Sequence, residues 1–141
     1  MVSGQRQMYL LPFGMANLQY DYDFGPTGPL AALQDRSEYP ETPSMISPPV
    51  GWVDIVVRLD AELASILPDY TIVQVKEKFA GLRYYIGEYG VGRDDPRIAM
   101  SREMIASAEQ ESMRTCQVCG EPGRYREGHA WMRTVCDEHD R

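Results

Sequence analysis

Four side chains of the types that bind transition metals lie close to the end of this 141-residue chain, in the pattern Cys116-x2-Cys119-x16-Cys136-x2-His139. They include all three cysteines and one of the two histidines. Thiolates and an imidazole suit tetrahedral zinc, and two close pairs separated by a hairpin-sized gap are typical of a zinc finger. Because four protein ligands leave no position open for water or substrate, the pattern predicts a structural Zn²⁺ site rather than a catalytic one.

The finger needs turns that bring its two ligand pairs together. Gly120 directly follows the first pair and favours a tight knuckle. Residues 124–126 and 131–135 can form a hairpin around Gly128. The second pair then lies either on another knuckle, as in a zinc ribbon, or on a first helical turn, as in a treble clef. Only two residues follow His139, which slightly favours the ribbon.

Two other sets of residues could take part in chemistry. His129 lies near the expected hairpin tip, but no second catalytic histidine or asparagine accompanies it, so a polar tip residue is the favoured interpretation. Asp94 and Asp95 resemble a paired-carboxylate metal site; beside Pro96, a loop and helix-cap role is favoured. The sequence therefore predicts no enzymatic activity, with a degenerate treble-clef nuclease as the enzymatic alternative.

The composition is that of an acidic globular protein. The formal net charge is −7, with 43% hydrophobic and 25% charged residues. No stretch is a polycation, which disfavours nucleic acid as a partner, and no apolar run approaches the roughly 18 residues of a membrane span. The first residues lack the layout of a secretory signal, and cysteines assigned to metal favour a reducing compartment, so we expect a cytoplasmic protein.

Two helices and a β-hairpin are predicted upstream of the finger. One helix begins near residues 47–49 and ends before Pro68. Its apolar side chains follow 3.6-residue spacing: Trp52, Ile55, Val56, Leu59, Leu63 and Ile66. Residues 70–87 predict a hairpin, and a second helix follows over about residues 96–114. The predicted class is α+β.

The hairpin is expected to turn at Ala80-Gly81, which would place Glu77 opposite Tyr84. Glu77 would then lie on the apolar face and need a partner such as the Tyr84 hydroxyl or the Trp52 indole. Lys78 would lie opposite Arg83, an unfavourable pairing of like charges.

The other face of the hairpin is predicted to be a candidate binding face. It carries Lys76, Lys78, Arg83 and Tyr85. Such a face would accept an anionic ligand or an acidic partner surface, with a solvated sheet face as the alternative.

Residues 1–50 contain seven of the ten prolines, and residues 1–48 are predicted to form an extended arm that packs on its own domain or on a partner. Residues 20–24 alternate aromatic and acidic side chains and could form one edge strand. Their aromatic residues, Tyr20, Tyr22 and Phe24, are candidate partner contacts. A loose leader is the alternative. The predicted organisation is an arm over 1–48, a small core over 49–115 and a finger over 116–141.

Residues 51–141 also resemble a family of small, functionally uncharacterised proteins encoded by bacteria and their phages. The resemblance rests on the run of residues 76–84, on Cys116-x2-Cys119-Gly120-x-Pro122-Gly123 and on Trp131-x2-Thr134-x-Cys136-x2-His139. Ala80 stands where the family more often has glycine. The resemblance implies a zinc-containing α+β domain of phage or mobile-element origin, which would act in the host cytoplasm.

The predicted function is a non-enzymatic, zinc-stabilised protein–protein interaction module that binds or modulates a host or phage protein assembly. The alternative is a nucleic-acid-binding finger protein, whose binding would weaken steeply with salt. Its basic residues would be Lys76, Lys78, Arg83, Arg124, Arg126 and Arg133.

Overall fold

A computed structural model describes the backbone of residues 6–10, 16–128 and 130–140, and side chains from residue 22 onward within these ranges. The strands are β1 Arg6–Leu10, β2 Ala16–Asp23, β3 Ile72–Lys78, β4 Gly81–Ile86, β5 Arg124–Arg126 and β6 Arg133–Val135. The helices are α1 Ala31–Asp35, α2 Val53–Ile66 and α3 Pro96–Ser112. Strands β1 and β2, β3 and β4, and β5 and β6 each form a two-stranded antiparallel sheet. The predicted α+β class is confirmed.

Helix α2 is the centre of the core. A 3₁₀ turn over Val50–Trp52 leads into it, and the helix ends before Pro68, as the sequence predicts. The predicted stripe is confirmed, because Trp52 and the four apolar residues that follow it on that face up to Leu63 are buried. One position outside the stripe, Asp60, is also buried.

The turn between β3 and β4 differs from the prediction. Lys78 pairs with Gly81 and Glu77 with Leu82, so the turn residues are Phe79-Ala80 rather than Ala80-Gly81. Both have positive φ angles, 53° and 67°. Two positive φ values are what a two-residue type I′ turn requires. The backbone twist of this turn type matches the twist of the flanking strands, which makes it common in hairpins.

The predicted cross-strand neighbours change with the turn. Glu77 does not face Tyr84, and Lys78 does not face Arg83; Lys76 faces Arg83 instead. The carboxylate of Glu77 accepts a hydrogen bond from the turn rather than from the predicted tyrosine or indole. Between residues 74–78 and 81–85 each pairing moves by two positions, so these residues keep their predicted faces of the sheet, whereas a bulge between Ile72 and Gln74 shifts the end of β3 by one more position.

Both edges of the β3–β4 hairpin are covered by the chain itself. Ser37 and Ile46 form parallel bridges to β3, and the Ser47 amide donates to the Val75 carbonyl at 2.9 Å. On the other side, the Ser112 hydroxyl of α3 accepts a hydrogen bond from the Leu82 amide at 3.0 Å. Covered edges block strand addition to this hairpin.

The segment before α2 contributes to the same core. Tyr22 and Phe24 are only 7% and 8% exposed and pack with Leu33 and Ile46 against α2. The Tyr22 hydroxyl donates to the Pro48 carbonyl at 2.8 Å. The prediction that Tyr22 and Phe24 are partner contacts is therefore wrong, since burial in the chain's own core satisfies these aromatic side chains.

The predicted strand near residue 20 is confirmed as the end of β2. The side chain of Tyr20 lies outside the side chains that the structure describes.

A buried polar cluster links the first third of the chain to α2 and the hairpin. Asp60 accepts hydrogen bonds from Arg36 Nε at 2.8 Å and from the Tyr70 hydroxyl. The Tyr70 and Tyr84 hydroxyl oxygens are 2.7 Å apart. Burial raises the pKa of both tyrosines, so the hydroxyls keep their protons. Nothing in the local sequence pattern predicts this cluster.

Helix α3 begins as predicted. Asp95 is its N-cap, and its carboxylate accepts a hydrogen bond from the Arg97 amide at 2.9 Å, with Pro96 in the first turn. The Arg97 guanidinium also lies 2.8 Å from the carboxylate and, with these hydrogen bonds, lowers the pKa of Asp95 to about 2. No helix in the described part of the chain has the length and apolar character needed to cross a membrane.

Candidate metal centre

The four predicted ligands come from two short segments. Cys116 and Cys119 lie in the turn that follows α3, and Cys136 follows β6. The last ligand, His139, ends a single 3₁₀ turn over Asp137–His139. The second pair therefore spans one 3₁₀ turn, and the predicted hairpin of β5 and β6 lies between the two ligand pairs.

The ligand atoms converge on one point. The Nδ1 atom of His139 lies 3.7 Å from the Cys116 sulfur and 3.1 Å from the Cys136 sulfur, and the Cys119 and Cys136 sulfurs are 3.8 Å apart. All four ligand atoms lie within 4.8 Å of one another. Tetrahedral zinc, with Zn–S of about 2.3 Å and Zn–N of about 2.0 Å, separates such atoms by about 3.5–3.8 Å. The cluster therefore fits a metal ion held by three sulfurs and one nitrogen.

The backbone around the first ligand favours a thiolate. Burial acts to raise the pKa of Cys116, but the amide groups of Cys136, Cys119 and Val118 donate to its sulfur and lower that pKa to about 6. Burial and the neighbouring thiols raise the pKa of Cys119 to about 11. A cluster that ionises one thiol readily and resists ionising the next is suited to a cation, which stabilises all the thiolates together.

The knuckle has the backbone that the sequence predicts. Gly120 has a φ angle of +81°, a conformation that favours glycine, and its amide donates to the Cys116 carbonyl at 2.9 Å. The Cys116 amide in turn donates to the Glu121 carbonyl at 2.7 Å. These bonds fix the direction of the first two ligands.

The knuckle packs directly on the start of α2. The Gly51 amide donates to the Gln117 carbonyl at 2.9 Å, and the Trp52 indole nitrogen donates to the Thr115 carbonyl at 2.8 Å. A Cβ atom on Gly51 would lie 2.0 Å from the Cys116 carbonyl oxygen, so only glycine permits this approach. A glycine just before the helix is the sequence signal for this contact, which was not predicted.

The second half of the finger contacts the β3–β4 turn. The buried Thr134 hydroxyl donates to the Ala80 carbonyl at 2.7 Å. Thr134 and Gln117 also exchange two hydrogen bonds, at 2.9 and 3.1 Å, which join β6 to the knuckle. The cluster of four ligand side chains is thus connected to the β3–β4 turn through one buried threonine.

Comparison of the chain with protein-family models, with curated proteins and with solved structures finds no match. The resemblance to bacterial and phage finger proteins stays a prediction. The metal centre is supported by the convergence of its four ligand atoms alone.

Two of the basic residues of the finger lie close to carboxylates. Arg126 is 10% exposed and lies 2.8 Å from both Asp137 and Asp140, and Arg124 lies 3.9 Å from Asp137. These contacts reduce the positive charge that the finger could offer to a phosphate backbone. His129, the other histidine, lies outside the described residues.

The predicted basic face is assembled on one side of the β3–β4 hairpin. Lys76, Lys78 and Arg83 project from the same side as Tyr85. Within the described ranges, no carboxylate oxygen lies within 4.0 Å of either lysine ammonium. The four predicted residues are thus brought together, while the Tyr22 and Phe24 side chains are buried elsewhere in the core.

Proposed function

We propose that this protein is a non-enzymatic, zinc-stapled protein–protein interaction module that contacts its partner through the basic face. The observation that carries the proposal is the collection of Lys76, Lys78 and Arg83 on one open face of a chain whose net charge is −7. Like charges opposite each other in a sheet are unfavourable, so an anion close to this face would stabilise it. An acidic surface on another protein would supply it.

Zn²⁺ is the proposed ion because three sulfurs and one imidazole nitrogen are its preferred structural ligands. Cys116, Cys119, Cys136 and His139 would hold it and fill its coordination sphere. The ion would supply folding free energy, roughly 10–16 kcal/mol in finger peptides, and no reaction step. Elemental analysis of protein purified without chelator should give one equivalent of zinc, and far less than one equivalent of any transition metal would refute this part of the proposal.

A protein partner is favoured over nucleic acid by the distribution of charge. The chain is acidic, and two of the three finger arginines that a nucleic-acid site would use, Arg124 and Arg126, are already close to Asp137 or Asp140. We further propose, from the sequence resemblance, that the partner belongs to a host or phage assembly.

The test is affinity capture from the producing cell with two matched charge-reversed variants. Lys76→Glu/Lys78→Glu alters the basic face, and Arg93→Glu/Arg102→Glu makes the same change in net charge at two exposed positions elsewhere. A specific protein should be retained by the wild type and by the second variant and lost by the first. Equal retention by both variants, or nuclease-sensitive capture that weakens steeply with salt, would refute the proposal.

A further inference from the structure

The aromatic residue at the tip of the β3–β4 hairpin is both strained and exposed. Phe79 has a φ angle of +53°, in the left-handed region that bulky residues rarely occupy. It takes the first position of a type I′ turn, where asparagine, aspartate or glycine is favoured. Its side chain is nevertheless 61% exposed. The free protein therefore keeps a conformationally unfavourable residue whose ring is largely unburied, a combination typical of functional positions.

The turn that presents this ring is held from both sides. The Ala80 amide donates to the Glu77 carboxylate at 3.1 Å, and the Ala80 carbonyl accepts from the buried Thr134 hydroxyl of the finger at 2.7 Å. Ala80 itself is fully buried. The turn backbone is thereby fixed beneath an exposed aromatic side chain. A preorganised anchor of this kind binds with a smaller loss of conformational entropy.

The surroundings of the ring are apolar and positively charged. The Lys78 ammonium lies 5.4 Å from the centroid of the Phe79 ring. Beside the turn, Met113 is 45% exposed, and its Cγ atom lies 3.7 Å from the position of a Cβ atom on Gly81. Arg83 lies on the same side of the sheet as Lys78. The matching ligand would combine apolar side chains with nearby negative charges.

We propose that Phe79 and Met113 form the anchor of a docking site for an acidic protein segment that carries apolar side chains. The inference rests on the proposed function and specifies the chemistry of the partner. The apolar side chains of the segment contact the ring and the thioether, and its carboxylates approach Lys76, Lys78 and Arg83.

A segment with separate carboxylates fits this site better than a continuous polyanion. Glu77 lies under the turn, and Glu109 of α3 is close enough to Arg83 to interact with its charge. A nucleic-acid strand carries a phosphate at every nucleotide and would bring some of them close to these carboxylates, which would repel them. A peptide can place its acidic side chains away from the two carboxylates.

The test uses a labelled short peptide in which leucine alternates with aspartate, and the same peptide with asparagine in place of aspartate. A short oligothymidylate is the nucleic-acid probe. Phe79→Asn removes the ring while keeping a residue that tolerates the turn, so the variant should fold. Met100→Gln on α3 is the control, because Met100 is about as exposed as Met113, 46% against 45%, and lies away from the turn. Circular dichroism and urea unfolding confirm folding of both variants.

We expect the wild type and Met100→Gln to bind the acidic peptide alike, and Phe79→Asn to bind it at least about tenfold more weakly. The asparagine peptide should also bind at least about tenfold more weakly to the wild type. Equal peptide binding by Phe79→Asn and wild type, tighter binding of oligothymidylate than of the acidic peptide, or no peptide binding would overturn the inference.

The capture experiment separates this inference from the proposed function. If Phe79→Asn retains the captured protein that Lys76→Glu/Lys78→Glu loses, the proposed anchor is refuted, while the proposal that the basic face binds the partner is supported. If neither variant alters capture, both proposals fail.

Discussion

The contact between the metal knuckle and the start of α2 predicts a large effect for a very small substitution. In Gly51→Ala the added methyl group would lie 2.0 Å from the Cys116 carbonyl oxygen, 2.7 Å from the Gln117 carbonyl carbon and 2.8 Å from the Gly120 nitrogen. All three are backbone atoms, which cannot rotate away. The knuckle and the helix entrance must therefore separate.

The expected loss follows from what that separation breaks. The hydrogen bonds from the Gly51 amide and the Trp52 indole to the knuckle are each worth about 1 kcal/mol. Trp52 is fully buried in the wild type, and its partial exposure in the variant would lower the free energy of unfolding by a similar amount. We expect Gly51→Ala to lower the free energy of unfolding by about 2–4 kcal/mol.

Urea unfolding followed by tryptophan fluorescence and circular dichroism measures this difference. The matched control is Gly92→Ala, because no atom outside its chain neighbours lies within 4 Å of the added methyl group. That control should change stability by less than about 1 kcal/mol, since it mainly restricts the unfolded chain. Equal stability of the two variants would show that the knuckle is not packed on α2 in this way.

Three further substitutions test the metal site, the buried polar cluster and the cap of α3. Cys119→Ser should reduce bound zinc far below one equivalent and lower the unfolding temperature, while His129→Ala should leave zinc content unchanged by elemental analysis. Asp60→Ala should destabilise by about 3–5 kcal/mol in urea unfolding, because it leaves a partly buried arginine without its carboxylate, and exposed Glu62→Ala should have little effect. Asp95→Asn keeps a capping side chain but loses the ion pair, and the lowered pKa of Asp95, about 2, sets the pH range of its effect. The wild type should be the more stable protein above about pH 4, and that advantage should vanish as pH falls through 2; a constant difference across this range would contradict the assignment.

The sequence predicts features that depend on nearby residues. The ligand pairs, the α2 stripe and the Asp95-Pro96 start of α3 are each specified within a few positions, and each is found where expected. The faces of the β3–β4 hairpin are also correct over residues 74–78 and 81–85 despite the wrong turn, because the pairing there shifts by two positions.

Features that depend on distant residues were not predictable in this way. Asp60 belongs to the buried side of α2 only because Arg36 and Tyr70 approach it, and neither is close to it in the sequence. The same holds for the turn. The turn at Phe79-Ala80, rather than one containing Gly81, is held by a hydrogen bond from the Thr134 hydroxyl, 54 residues beyond Ala80. Local propensity favours glycine in such a turn, and tertiary contacts override it.

These long-range contacts make the finger part of the structure that supports the basic face. The knuckle bonds to the start of α2, and Thr134 bonds to the turn that carries Phe79. Loss of the proposed ion would release β6 and remove one of the two hydrogen bonds that hold the Ala80 peptide groups. The strained turn would then be free to relax, since its left-handed angles persist only while the surroundings enforce them. A chelator should therefore weaken binding of the acidic peptide, even though none of the four metal-binding side chains belongs to the proposed docking site. Unchanged peptide affinity in fully demetallated protein would show that the finger and the docking face are independent.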